Sequence, residues 1–231
     1  MKKLLLWSGG FDSTAILLDW LENKIEFDTV YINLENNYYK SLAEKDARLR
    51  ILKKLETKYS KESFGKDYEI KINPVYSENK GGFWQPYLWI NSLVTHIKED
   101  KYSEIAFGYI KKDCFWHIKS EALKMFKYSW IVFHCNYKNI PELIYPYEWY
   151  YKEDIFLNSK EFNKEILKMT ITCENPIIFD QLSFDLELND IKHNDKIMFK
   201  ECGECDTCKR KIELFKNLNN FKDVVCKKEI E

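Results

Sequence analysis

Glycine and proline are scarce in this chain, seven and five residues in 231. That scarcity excludes a linker-rich, collagenous or low-complexity polypeptide. Charge of one sign is also missing: 36 Lys and Arg face 37 Asp and Glu, for a formal net charge of -1. No global basic field therefore points to a nucleic-acid partner. No apolar run approaches the ~20 residues that span a bilayer. The short apolar run at the N-terminus meets Asp12, Asp19 and Glu22 at once, so a signal peptide is not expected. A soluble, cytoplasmic protein without a membrane partner is the expectation. In that compartment seven cysteines read as thiols or metal ligands rather than as disulfides.

What is present is a strong alternation. The segment "LLLW" (4–7) is a buried-looking strand and Ala15, Ile16, Leu17 and Leu18 have helical spacing. Next come a β-rich run at 26–34, a helical period over 38–59, a strand over 68–76, a turn at Gly81-Gly82 and a helix over 87–100. A strand over 102–110 and a helix over 114–128 follow. Strand and helix recur at the spacing of βαβ crossovers, which predicts an α/β fold with a parallel sheet and helices on both faces. The length suits one sizeable core with a small appendage. Beyond about residue 165 the alternation gives way to short, cysteine-punctuated segments. Two regions are expected, 1–165 and 166–231, the second a small metal-binding part of helix and loop.

The break between the first strand and helix is Ser8-Gly9-Gly10-Phe11-Asp12-Ser13-Thr14. Adjacent glycines admit positive φ and bring backbone N–H groups close to a ligand. Ser13 and Thr14 put hydroxyls at the helix start, where free N–H groups and partial positive charge suit a phosphate. Asp12 adds a carboxylate able to work through Mg²⁺. A capped βα connection with no ligand has the same local chemistry. The lysine of G-x-x-x-x-G-K-[ST] is absent, so this is not a Walker A loop.

The second motif is Cys202, Cys205 and Cys208, a C-x-x-C-x-x-C run. Three thiols in one loop suit a tetrahedral ion that lacks one ligand, and zinc takes four soft donors of this kind. Cys173 is the first candidate for the fourth and His193 the second. An iron–sulfur cluster or a redox thiol set shares the spacing. Cys114, Cys135 and Cys226 have no partner at metal spacing. The run Lys209-Arg210-Lys211 reads as a solvated basic face or a contact to phosphate.

The string from Ser8 to Thr14 resembles the S-G-G-x-D-S/T signature of the PP-loop ATP pyrophosphatase superfamily. Together with the cysteine run it is similar to the 7-cyano-7-deazaguanine synthase family over most of the length. Thr170-Ile171-Thr172-Cys173 matches the family's T-x-S-C, Cys202 to Cys208 its C-G-x-C-x-x-C, Phe215 a later phenylalanine, and Gly108 with Asp113 its G-x-x-x-x-D. Pro146 and Lys152 echo a proline and a lysine, and Glu44 a glutamate. The resemblance implies an adenine-nucleotide hydrolase-like fold, ATP with Mg²⁺ held by residues 8–14, Asp12 and Ser13 as catalytic residues, and structural Zn²⁺ on Cys173, Cys202, Cys205 and Cys208. It implies ammonia and a 7-deazaguanine acid as substrates, with Gly108 and Asp113 at the acid, and a homodimer. Phe115 and Trp116 are candidates to stack on the deazapurine, or are core, and His117 is a general base or a satisfied histidine.

Departures from the family pattern cluster elsewhere. Leu34-Glu35-Asn36-Asn37 stands in place of a Y-G-Q segment, Pro86-Tyr87-Leu88-Trp89 in place of P-A-R-N, and "CFWHI" in place of Y-P-D-C-R. Lys211 stands where the family has an arginine. These changes open two alternatives: an enzyme that passes the activated acid to an amine on another molecule such as a protein, and a tRNA-modifying relative.

Overall fold

A strand that is buried on both faces needs helices above and below it. Phe27–Leu34 is such a strand, with every residue buried. The computed structural model describes residues 2–34, 38–72, 85–98, 101–111, 117–135, 138–178 and 199–217. The order is β1 (Lys2–Leu6), α1 (Phe11–Glu22), β2 (Phe27–Leu34), α2 (Tyr38–Leu55), β3 (Asp67–Ile72), α3 (Gln85–His96), β4 (Tyr102–Ala106) and α4 (Lys119–His134). Then come β5 (Glu142–Ile144), α5 (Lys152–Asn158), α6 (Glu161–Lys168), β6 (Ile177–Ile178), β7 (Phe199–Lys200) and α7 (Asp206–Asn217).

The first five strands form one sheet in the order β3-β2-β1-β4-β5, and each neighbouring pair is parallel. The expected α/β architecture is thus present. Growth runs from β1 out to β3, then returns to the other side of β1 for β4 and β5. Right-handed crossovers in opposite directions put their helices on opposite faces. Leu5 and Ala106 accordingly meet α1, α2, α5 and α6, while their strand neighbours Leu4 and Ile105 meet α3 and α4. The alternation is the period of two of a β-strand. Leu214 of α7 joins the first of these cores.

At the amino ends of the strands a buried carboxylate ties four segments together. Asp28 accepts from the Tyr102 hydroxyl at 2.7 Å and the Lys66 N–H at 2.8 Å. Lys2 and Lys101 lie 3.5 and 3.4 Å away. Burial alone would raise this carboxyl, but Tyr102, Lys66 and the two ammonium groups outweigh it and hold it below the usual range.

Several boundaries differ from the sequence expectation: the helix expected over 38–59 ends at Leu55, and the one expected over 87–100 spans Gln85–His96. The helix expected over 114–128 starts at Lys119 and continues to His134, because Trp130, one turn beyond Phe126, keeps facing the core. The strand expected over 102–110 stops at Ala106, where the backbone turns toward α1. The turn at Gly81-Gly82 and residues 114–116 lie outside the described residues. Among the described residues no helix is long and apolar enough to cross a membrane.

Candidate functional site

The sheet reverses its winding between β1 and β4, and in open α/β sheets the crevice beyond the carboxyl ends of such a pair is where ligands sit. The two chains leaving those ends are Trp7 to Thr14 and Phe107 to Ile110. Gly9 takes φ +80°, and a Cβ there would meet Arg48 Cγ at 2.9 Å and the Glu44 carbonyl at 3.1 Å. Gly108 is needed for a different reason: a Cβ would lie 2.5 Å from the backbone nitrogen of Ser13. It lets the end of β4 touch the first turn of α1. Gly108, predicted to contact substrate, thus serves as a spacer within this crevice.

Gly10 precedes α1 without a side-chain cap. The first-turn N–H groups of α1 lack intrahelical acceptors by geometry, and they open toward the crevice with the positive end of the helix dipole. The Ser13 hydroxyl lies 3.4 Å from the Ser8 N–H, 3.5 Å from the Ser8 hydroxyl and 3.4 Å from the Gly10 carbonyl. Ser8, Gly10 and Asp12 are half-buried and form the open edge. Phe11 and Thr14 are core residues. The Thr14 hydroxyl faces inward and accepts from the Trp7 indole at 3.0 Å.

A cation reaches this turn from another element. Lys152, first residue of α5, puts its Nζ 3.2 Å from Asp12 Oδ2, both side chains largely shielded. The sequence shows Lys152 only as an echo of a family position, since nothing local couples residues 12 and 152. Behind the turn, Arg48 of α2 lies between the rings of Trp7 and Tyr31, at 4.8 and 4.7 Å from their centroids. Its Nη2 donates to both oxygens of Asp67 at 2.6 Å.

A polar chain continues along α2. The Tyr31 hydroxyl donates to Glu44 at 2.7 Å, and Lys40 pairs with Glu174 at 2.6 Å. Burial pushes the Glu44 carboxyl up, against Lys40 and Tyr31, which pull it down. Burial lowers Lys40, yet Glu44 and Glu174 outweigh it and hold the ammonium above its ordinary value.

Glu174 follows Cys173, the first thiol of a four-cysteine cluster. The sulfurs of Cys173, Cys202, Cys205 and Cys208 all lie within 4.8 Å of one another, with Cys202 and Cys208 3.9 Å apart. A tetrahedron with metal–sulfur bonds of about 2.3 Å has edges of about 3.8 Å. The cluster can therefore hold one metal ion, and its geometry is compatible with zinc. Backbone N–H groups already point at the sulfurs: Cys202 at Cys173 Sγ (3.2 Å), Glu204 and Cys205 at Cys202 Sγ (3.4 Å each). Burial pushes Cys173 up to about 12. Burial also raises Cys205, but the Thr207 hydroxyl and the N–H groups of Glu174 and Cys208 outweigh it and bring it to about 6. A dication reverses the penalty on the buried thiols and deprotonates them.

Other predicted residues fall apart in space or in description. Asp113, Cys114, Phe115, Trp116, His193 and Cys226 lie outside the described residues, and His117 is exposed. The basic run divides. Lys209 and Arg210 are exposed, whereas Lys211 is buried and pairs with Glu201 at 3.0 Å, so it is no part of a solvated face. Comparison with protein-family models and with curated proteins finds no match.

Proposed function

We propose that this chain is a PP-loop enzyme that uses ATP to activate a carboxylic acid by adenylation, with a structural zinc on Cys173, Cys202, Cys205 and Cys208. The observation that carries the reading is the S-G-G-F-D-S-T turn at the β1/β4 switch point, with Lys152 brought onto Asp12. In this reading the N–H groups of the turn and the Ser8 and Ser13 hydroxyls hold the ATP phosphates, which arrive with Mg²⁺. Lys152 supplies the cation that a Walker A loop carries within its own sequence. Asp12 keeps that ammonium in place, so charge developing on the leaving pyrophosphate meets a fixed donor set. The zinc, when bound, holds the C-terminal segment in shape and takes no part in the reaction.

The specific reaction follows the family resemblance: conversion of 7-carboxy-7-deazaguanine to the 7-cyano compound. A carboxylate oxygen attacks the α-phosphorus, and pyrophosphate leaves with the electron pair of the broken P–O bond. Ammonia displaces AMP from the acyl carbon and loses a proton to give the amide. The amide oxygen then attacks the α-phosphorus of a second ATP, expelling pyrophosphate, and loss of the two amide protons with departure of AMP leaves the nitrile. Holding acid and α-phosphate in line supplies much of the rate, with no protein nucleophile required. The altered segments Pro86-Tyr87-Leu88-Trp89 and Leu34-Glu35-Asn36-Asn37 favour a second reading, in which the activated acid passes to an amine on a larger acceptor.

The test is mass spectrometry of the products formed by zinc-loaded protein from ATP, Mg²⁺, 7-carboxy-7-deazaguanine and ammonium, with Ser13→Ala and Asp12→Ala controls. Nitrile, AMP and pyrophosphate are expected. AMP with only an amide or a trapped adenylate selects the second reading, and no AMP with any deazaguanine acid overturns both.

A further inference from the structure

The segment Thr170–Cys173 lies between the metal cluster and the glycine turn and touches both. At one end Cys173 is a metal-cluster residue, 1 % exposed and packed on Ala43 and Ala47 of α2. In the middle, the Ile171 N–H donates to the Gly9 carbonyl at 3.3 Å. The Ile171 carbonyl and the Thr172 methyl both stand 3.6 Å from where a Cβ on Gly10 would be. The turn thus rests on this segment along two consecutive glycines.

What holds the segment there is a buried ion pair. Lys211 of α7 is 5 % exposed; its Nζ donates to the Thr170 carbonyl and pairs with Glu201 at 3.0 Å. The same Glu201 oxygen accepts from the Thr172 N–H at 3.0 Å and the Thr172 hydroxyl at 3.4 Å. Lys211 lies three residues beyond Cys208 and Glu201 one before Cys202, so both are carried by the peptide that supplies three of the four thiols. A buried pair of charges is seldom a gain in stability over apolar packing. Three hydrogen bonds between these two charges and one short stretch of backbone and side chain instead fix where that stretch sits.

We propose that Lys211 and Glu201 are positioning residues for the Ser8–Gly10 turn. They register Thr170–Cys173 against Gly9 only while the cysteine cluster is assembled, which makes the geometry of the turn conditional on the bound metal. For the nucleotide the proposal rests on the reading of the turn as an ATP site. Coupling between two sites is reciprocal, so a nucleotide on the turn tightens the metal by the same factor as the metal tightens the nucleotide.

The experiment is site-resolved amide exchange on the full-length, zinc-loaded protein, reading Ser8, Gly10 and Ile171 with the β2 amides as an internal reference. In Lys211→Met with zinc still at one per chain, the three amides are expected to exchange roughly tenfold faster or more, with β2 unchanged. Chelating the zinc from wild-type protein should speed the same three amides ahead of any change in β2, and reloading should reverse it. Glu201→Gln, which keeps an acceptor oxygen, should fall between, and it substitutes for Lys211→Met should that variant fail to retain zinc. Wild-type protection at the turn in the loaded variants, or after metal removal, overturns the proposal. In the zinc-loaded variants, acceleration that spreads equally to β2 also overturns it, since that is general loosening. None of these readouts needs ATP, so their failure leaves the adenylation reading to its own product test.

Discussion

Gly108→Ala separates two roles that the sequence leaves merged, contact with substrate and spacing of the fold. Gly108 is not in the left-handed region, so alanine adopts its backbone without strain and the effect is steric. The added Cβ would lie 2.5 Å from Ser13 N, 2.8 Å from Ser13 Cα and 3.0 Å from Asp12 C. All three are backbone atoms, and none can rotate away. Relief requires the first turn of α1 to retreat from β4 by about 1 Å, an overpacking worth about 1–3 kcal/mol. With a urea m-value of about 2 kcal/mol/M, the unfolding midpoint should fall by about 0.5–1.5 M at unchanged slope. In the adenylation reading proposed above, the same displacement moves the helix start against the α-phosphate, and misplacement of about 1 Å can cost ~10²-fold in rate. The paired assays are urea unfolding and AMP release. A midpoint within about 0.2 M of wild type together with normal AMP release would refute the close contact and the argument built on it. Normal stability with lost turnover would instead make Gly108 a residue that touches the substrate.

Lys152→Met should cost about 1–3 kcal/mol, because it takes the cation from a largely shielded carboxylate, and slow AMP formation about 10²-fold if its ammonium meets developing charge. Equal turnover would remove it from the site. Chelation should lower Tm reversibly, because free zinc about 1,000 times above Kd stabilises the fold by ~4 kcal/mol, and Cys208→Ser should lose stoichiometric metal by elemental analysis. The depressed Asp28 carboxyl makes stability depend on pH in a defined direction. Below the usual carboxylate value of about 4 the unfolded chain binds a proton that the folded one resists, so stability falls as pH drops through the folded-state value. Asp28→Asn should flatten that limb of the pH profile and cost about 1.5–3 kcal/mol at neutral pH through its charged hydrogen bonds. An unchanged acid limb would mean that another group carries it.

The alternation of buried strand and helix was legible because an apolar run such as Leu4–Trp7, followed at once by a helical period, suits a doubly covered sheet. Strand order was not, since the contact of β1 with β4 joins residues about a hundred positions apart and no periodicity encodes it. The cysteine spacing named three ligands outright, and Cys173 required only one further choice. Lys211 is an instructive failure. Its neighbours make it look solvated, but Cys208, Lys211 and Leu214 recur every three residues on one side of α7, and that side is buried. Thr14 fails for the same reason: it stands three residues beyond Phe11 and shares its inward face. Lys152 lies at the opposite limit, because only the fold brings it to Asp12.

The bond from Ile171 to Gly9 also has a meaning in time. During synthesis the glycine turn leaves the ribosome early, and β1, α1 and β2 can pair soon after. Its carbonyl at Gly9 must then wait for Ile171 and for the thiols at 202–208, which emerge long after it. A stalled or truncated chain lacking residue 171 would carry every residue of the S-G-G-F-D-S-T string without the contact that fixes its shape. The protein thereby withholds its finished turn from fragments of itself.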